Sequence, residues 1–238
     1  MPVKVAFVAA MQREVSQLVK NWRAVEREHE GKTFKFFESE ANAVLICGGI
    51  GEQAARCATE GVIVLYKPEI VQSVGFAGAL DSKLKVGDIL TPARVIDAKD
   101  GSSAVVNNGS GALVSLSSTA GVEQKAKLAE VYGAQAVDME AAAVAKSATA
   151  HGIEFRATKV ISDEFDFEMP PMDRFVSYEG TFRTNKFLGY AVVRPRLWSR
   201  IVRLARNSKK AADALCTELF QQLKSSSNSP ELHSSLRV

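Results

Sequence analysis

Residues 136–166 read AVDMEAAAVAKSATAHGIEFRATKVISDEFD, and the fold is decided there. The stretch opens at the end of a short apolar run, 134–137, and passes an acidic pair around Met139. A run of small residues with helical character follows. A second apolar run then ends in Ile161-Ser162-Asp163. Glu140 and Asp163 thus fall at two strand-end positions one helix apart, the arrangement of an α/β sheet. Ligands of open α/β sheets bind in the crevice outside the strand C-termini. Two carboxyl groups at that edge suit general-acid work and hydroxyl recognition. The alternative is structural: Glu140 opens a helix and suits its dipole, and Asp163 caps the segment after it.

The rest of the chain sets the frame. A length of 238 residues with 46% apolar and 24% charged residues fits one large α/β domain with a sizeable core. Residues 1–224 are read as that domain and 225–238, polar and serine-rich, as a disordered tail. A formal net charge of +3 is too small to argue for nucleic acid. No apolar run is long enough for a membrane-spanning helix, and the N-terminal run reads as a strand rather than a signal peptide. Cys47, Cys57 and Cys216 have no metal or redox spacing and the three histidines are scattered, so no metal is expected and the cytoplasm is the natural compartment.

Working outward, 3–10 reads as a buried strand, followed by Met11-Gln12-Arg13-Glu14 and a helical pattern through Val15, Leu18 and Val19. Glu14 therefore lies just past a strand end. Residues 33–38 and 43–47 look like a hairpin pair, then Gly48-Gly49-Ile50-Gly51 leads into a helix over 52–66. A glycine turn in that place can turn backbone N–H groups toward an anion or a ribose, or serve only as a tight turn. Strand 70–74 runs into Gly75-Phe76-Ala77-Gly78-Ala79, small enough to admit a flat ligand against the backbone. The segment 165–185 mixes five aromatic residues with Arg174 and Arg183 and reads as a lid or binding loop, or else as a loop folded on its own aromatic cluster. A helix over 196–224 is basic in its first half, which suits a membrane-surface or phosphate-facing helix, or simply a solvated face.

Glu14, the Gly75–Ala79 segment, Met139-Glu140 and Ser162-Asp163 together resemble the purine nucleoside phosphorylase/uridine phosphorylase superfamily. Within it the chain is most similar to 5'-methylthioadenosine/S-adenosylhomocysteine nucleosidases and to phosphorylase-like proteins of hopanoid biosynthesis. The resemblance runs over residues 3–223. It implies a three-layer α/β/α sandwich around a mixed central sheet, a homo-oligomer, often a dimer, and cleavage of a ribosyl C–N bond without a cofactor. By resemblance Asp163 is the acid that protonates the purine, Glu140 accepts the ribose hydroxyls with Met139 against the sugar, and Glu14 activates water in the hydrolases. Phe76, Ala77, Gly78, Ser162, Ser118 and Thr119 would line the substrate site.

Three departures from the nucleosidase pattern stand out. Phe76 replaces a small hydroxyl residue, Ser118-Thr119 replace Phe-Ile, and the 165–185 loop is longer and more basic. On these grounds the expected reaction is release of adenine from a 5'-substituted adenosine by phosphorolysis, with Gly49, Gly51, Arg174 and Arg183 holding inorganic phosphate as co-substrate. An adenosyl-lipid substrate and membrane contact through 196–224 go with that expectation. Hydrolysis of methylthioadenosine or adenosylhomocysteine is the alternative, and a non-catalytic nucleoside-binding protein is a second one.

Overall fold

The computed structural model describes residues 3–227 of the chain. The element order is β1 Val5–Ala9, α1 Gln12–Val15, β2 Arg23–His29, β3 Lys32–Glu38, β4 Ala43–Cys47, α2 Glu52–Tyr66, β5 Ile70–Ala79, β6 Ile89–Leu90, β7 Arg94–Asp97, β8 Ser103–Val105 and β9 Ala112–Ser115. There follow α3 Val122–Tyr132, β10 Ala136–Asp138, α4 Ala141–Ala150, β11 Glu154–Asp163, α5 Thr184–Val192 and α6 Trp198–Ser227. The strands form one mixed sheet in the order β2-β3-β4-β1-β5-β10-β9-β7-β8, with β11 pairing both β5 and β6. This is the expected α/β architecture with helices on both faces.

Apolar strands form where both faces are covered. β1, β4 and β11 are buried almost throughout. On one face α2 and α4 pack over Val8, Val44, Ile46, Val71 and Ile161. The alanines of α4 allow that approach, because a helix without bulky side chains can lie close to its neighbours. On the other face α6 lays Ala211, Leu215, Cys216, Leu219 and Leu223 over Phe7, Leu45, Val74 and Val160. Leu215 and Leu219 are fully buried, each contributing about 2 kcal/mol of transfer free energy. A third cluster joins α3 to β7, β9 and β10 through Leu128, Ile96, Val114 and Val137.

Several elements differ from the sequence reading. β5 continues through residues 75–79 instead of turning there, because β11 accompanies it as far as Gly78. α1 is a single turn, and Leu18 and Val19 are buried in the turns that follow it. β2 was hidden by its composition: its residues RAVEREH are mostly exposed, as suits the charged edge of a sheet. α5 lies where a loop running to 185 and then no named element were expected. α6 runs to Ser227, past the expected domain end at 224. The remainder of the expected tail, 228–238, lies outside the described residues. Among the described residues no helix is long and apolar enough to cross a membrane.

Candidate active site

The site occupies a fork in the sheet. One edge of β5 pairs with β1 over Ile70–Ser73, and further along the same edge it pairs with β10 at Gly78 and Ala79. Between these two partnerships β5 passes Gly75 at φ +144°. Glu14, carried past the end of β1, and Met139-Glu140, carried past the end of β10, fill that gap. A Cβ at Gly75 would stand 2.7 Å from Glu14 Oε2, so the glycine makes the room Glu14 occupies.

Glu14 is 2% exposed, and its Oε2 has no hydrogen-bond partner among the described residues. Burial, then the nearby Glu140 charge, pushes its carboxyl up to about 8, against the opposing pull of Lys159 and Arg13. Glu140 accepts the N–H of Gly51 at 2.8 Å and of Met139 at 3.3 Å. Burial and the Asp138 charge still push it up to about 7. Glu140 does not cap α4 with its side chain; that role falls to Asp138, whose Oδ2 accepts the Ala141 N–H at 2.9 Å. Asp138 also accepts Ser115 Oγ at 2.5 Å and pairs with Lys159 at 2.9 Å. One buried ammonium therefore serves three carboxyl groups. Burial pulls Lys159 down, but Asp138, Glu140 and Glu14 outweigh it and raise it. The fork is thus a place where a carboxyl group keeps its basicity and a positive charge is welcome.

Asp163 lies across the cavity at the end of β11. Ser162 Oγ donates to Oδ1 at 2.8 Å, and Lys125 Nζ reaches Oδ2 at 2.5 Å while also donating to the Glu164 carbonyl at 2.8 Å. Lys125 is 1% exposed, so this is a buried ion pair, and the cap reading of Asp163 gives way to it. A Cβ at Gly78 would come within 2.8 Å of Asp163 Oδ2 and 3.3 Å of Lys125 Cε. Neither Lys125 nor Lys159 was singled out from the sequence. Lys125 stands among the Glu/Lys pairs of α3, residue types that usually face solvent on a helix, and Lys159 sits in an otherwise apolar stretch of β11, where a lone charge stands out.

The cavity opens to solvent and, with its mouth included, encloses about 900 Å3. Glu14, Phe76, Ala77, Gly78, Ser118, Thr119, Met139, Glu140, Ser162 and Asp163 all line it. The 165–185 loop contributes Met169, Met172, Asp173, Val176 and Phe182, and α6 contributes Leu204 and Ser208. Thr119 donates its Oγ1 to Asp173 Oδ2 at 2.8 Å, tying the 118–119 segment to that loop.

The residues assigned to phosphate are not so placed. Gly48, Gly49, Ile50 and Gly51 donate their N–H groups to Ala9 O, Ala10 O, Gly180 O and Glu140 Oε1. The glycine turn therefore has no free amide for an anion. Arg174 and Arg183 are exposed and do not line the cavity.

The family model described as "Phosphorylase superfamily" matches residues 4–121 and 111–179. A 5'-methylthioadenosine/S-adenosylhomocysteine nucleosidase of Actinobacillus succinogenes is 28% identical over 204 residues, covering 70% of this chain and 88% of the relative. The same-named protein of Haemophilus influenzae is 37% identical over 91 residues, 37% of this chain; the match spans only 39% of that relative's length. Among solved structures, S-adenosylhomocysteine nucleosidase from Streptococcus pyogenes aligns with a TM-score of 0.69 at 19% identity, covering 96% of this chain and 98% of that one. Futalosine hydrolase of Helicobacter pylori aligns with a TM-score of 0.65 at 18% identity, over 92% and 97% of the two chains. The structural likenesses bear on the fold. The sequence relatives are nucleosidases, and they overturn the expectation of phosphorolysis, which the spent amides of the glycine turn had already left without an anion site.

Proposed function

The chain belongs to the phosphorylase superfamily, and from that premise we propose that it is a nucleosidase: it hydrolyses the N-glycosidic bond of a 5'-substituted adenine nucleoside and releases adenine. The observation that carries this reading is Glu14, whose buried Oε2 has no partner among the described residues and lies beside Glu140 at the fork. Once ionised, a carboxyl group of such raised basicity suits removal of a proton from water, and its ionised fraction grows as pH rises toward 8.

In the proposed reaction the purine lies between Phe76, Ser118-Thr119 and Asp163, and the sugar lies against Met139 and Glu140. The C1'–N9 bond breaks with its electron pair passing to the base, while the Asp163–Lys125 pair delivers a proton to N7. Positive charge develops on the ribose ring, and the Glu140 carboxylate, accepting from the ribose hydroxyls, stabilises it more strongly than in the ground state. Water adds to C1' and gives its proton to Glu14. Ile50, Met172, Val176, Phe182 and Leu204 offer an apolar wall to the 5'-substituent, in keeping with the methylthio group in the relatives' names. A homodimer in the cytoplasm, with no metal or organic cofactor, completes the reading.

The test is adenine release from methylthioadenosine and adenosylhomocysteine in phosphate-free buffer, with Asp163→Asn as control. The variant should lose about 10²–10⁴ in rate. Tight calorimetric binding of these nucleosides without turnover would replace the proposal with a binding protein.

A further inference from the structure

Between Glu179 and Asp213 the chain carries no acidic residue and nine cations. This segment forms α5, the connection after it and the first half of α6. On it Leu188, Val192, Val193, Trp198 and Val202 are each at least half exposed. Along α6, Trp198, Val202, Ala205 and Lys209 share one face by helical spacing, while Ile201, Leu204 and Ser208 turn inward. Trp198 is anchored at the head of that face by its indole N–H, which donates to the Ala191 carbonyl at 2.9 Å. Two of the arginines are already engaged: Arg200 pairs with Glu168, and Arg203 lies near Glu164 and over the Phe167 ring. Arg194, Arg196, Arg206, Lys209 and Lys210 make no ion pair among the described residues.

We propose that this face docks on an anionic lipid bilayer, with α5 and the start of α6 lying in the plane of the membrane interface. The charge and the apolar side chains together select that occupant. An isologous contact with a second copy would set this unopposed cationic surface against itself. A nucleic acid would satisfy the cations but give the aliphatic side chains of Leu188, Val192, Val193 and Val202 no apolar phase to enter. An anionic bilayer accepts both: headgroups meet the arginines and lysines, and Val192, Val193 and Trp198 enter the acyl boundary. Leu204 and Ser208, on the opposite side of the same turns, line the active-site cavity, so docking sets that wall of the cavity beside the membrane. The inference does not depend on the reaction proposed above.

Vesicle flotation of the full chain tests it. The vesicles are either pure phosphatidylcholine or about one-third phosphatidylglycerol, a charge density in the range of natural anionic leaflets. Wild type should float with the anionic vesicles, should not float with the neutral ones, and should be released by high salt. Arg196→Glu with Arg206→Glu, and separately Val192→Ser, Val193→Ser and Trp198→Ser together, should each cut the bound fraction about tenfold or more. Unchanged unfolding midpoints certify both variants as folded. Failure of wild type to float at low salt, equal flotation with neutral vesicles, or flotation of both variants like wild type overturns the proposal. So does a drop in oligomer size on removing the apolar side chains, or displacement from vesicles by equimolar RNA.

Discussion

Replacing Glu14 by Gln should make stability gain on the wild type as pH rises, while abolishing activity. The ordinary carboxyl value is 4.5 and the folded value is about 8. The folded state thus holds its proton over a range in which the unfolded chain has released it. Stability from this group is full below pH 4.5 and is lost as pH rises toward 8. The loss amounts to roughly 1 kcal/mol at pH 5 and roughly 3 kcal/mol at pH 7. Glutamine keeps the shape and does not titrate, so it escapes the loss. Its buried amide carries a fixed cost of about 1–2 kcal/mol, which is the same at both pH values. The gap between variant and wild type should therefore widen by about 2 kcal/mol from pH 5 to pH 7 in favour of the variant. Urea unfolding of both proteins at pH 5, 6, 7 and 8 measures it, with adenine release recorded in parallel. Parallel stability curves would refute the reasoning, because they would mean that the fork does not hold a carboxyl group against ionisation.

Lys125→Met leaves Asp163 buried without its ammonium; it should cost about 3 kcal/mol by urea unfolding and also slow adenine release. Gly75→Ala forces a Cβ toward Glu14 Oε2 at a φ of +144°; it should cost about 2 kcal/mol and lower activity, read by thermal unfolding and turnover. Glu140→Gln removes the ribose-facing charge and should lower kcat/KM about a hundredfold, by steady-state kinetics.

The strand-end carboxyl groups were legible because polar residues at the ends of apolar runs stand out, and Glu14, Glu140 and Asp163 do line one cavity. The ion pairs behind them were not. Lys125 and Lys159 lie far in sequence from Asp163 and Asp138, and the β5–β11 and β5–β10 pairings, with α3 packed against β9 and β10, bring those parts together. The glycine turn was misread for a related reason. Free amides can be inferred from composition, but their engagement with Ala10, Gly180 and Glu140 is a tertiary fact. β2 escaped notice because an exposed edge strand needs no apolar alternation. The arginines of the 165–185 loop were taken for ligands because charge in a loop can point either way, and here it points to solvent.

The central claim is that water, activated by Glu14, attacks the ribosyl carbon. The most direct measurement is mass spectrometry of the sugar product from methylthioadenosine turned over with phosphate present. Hydrolysis gives a free 5-substituted ribose, together with adenine, at a rate that phosphate does not change. A ribose 1-phosphate product, or no adenine at all, would contradict it.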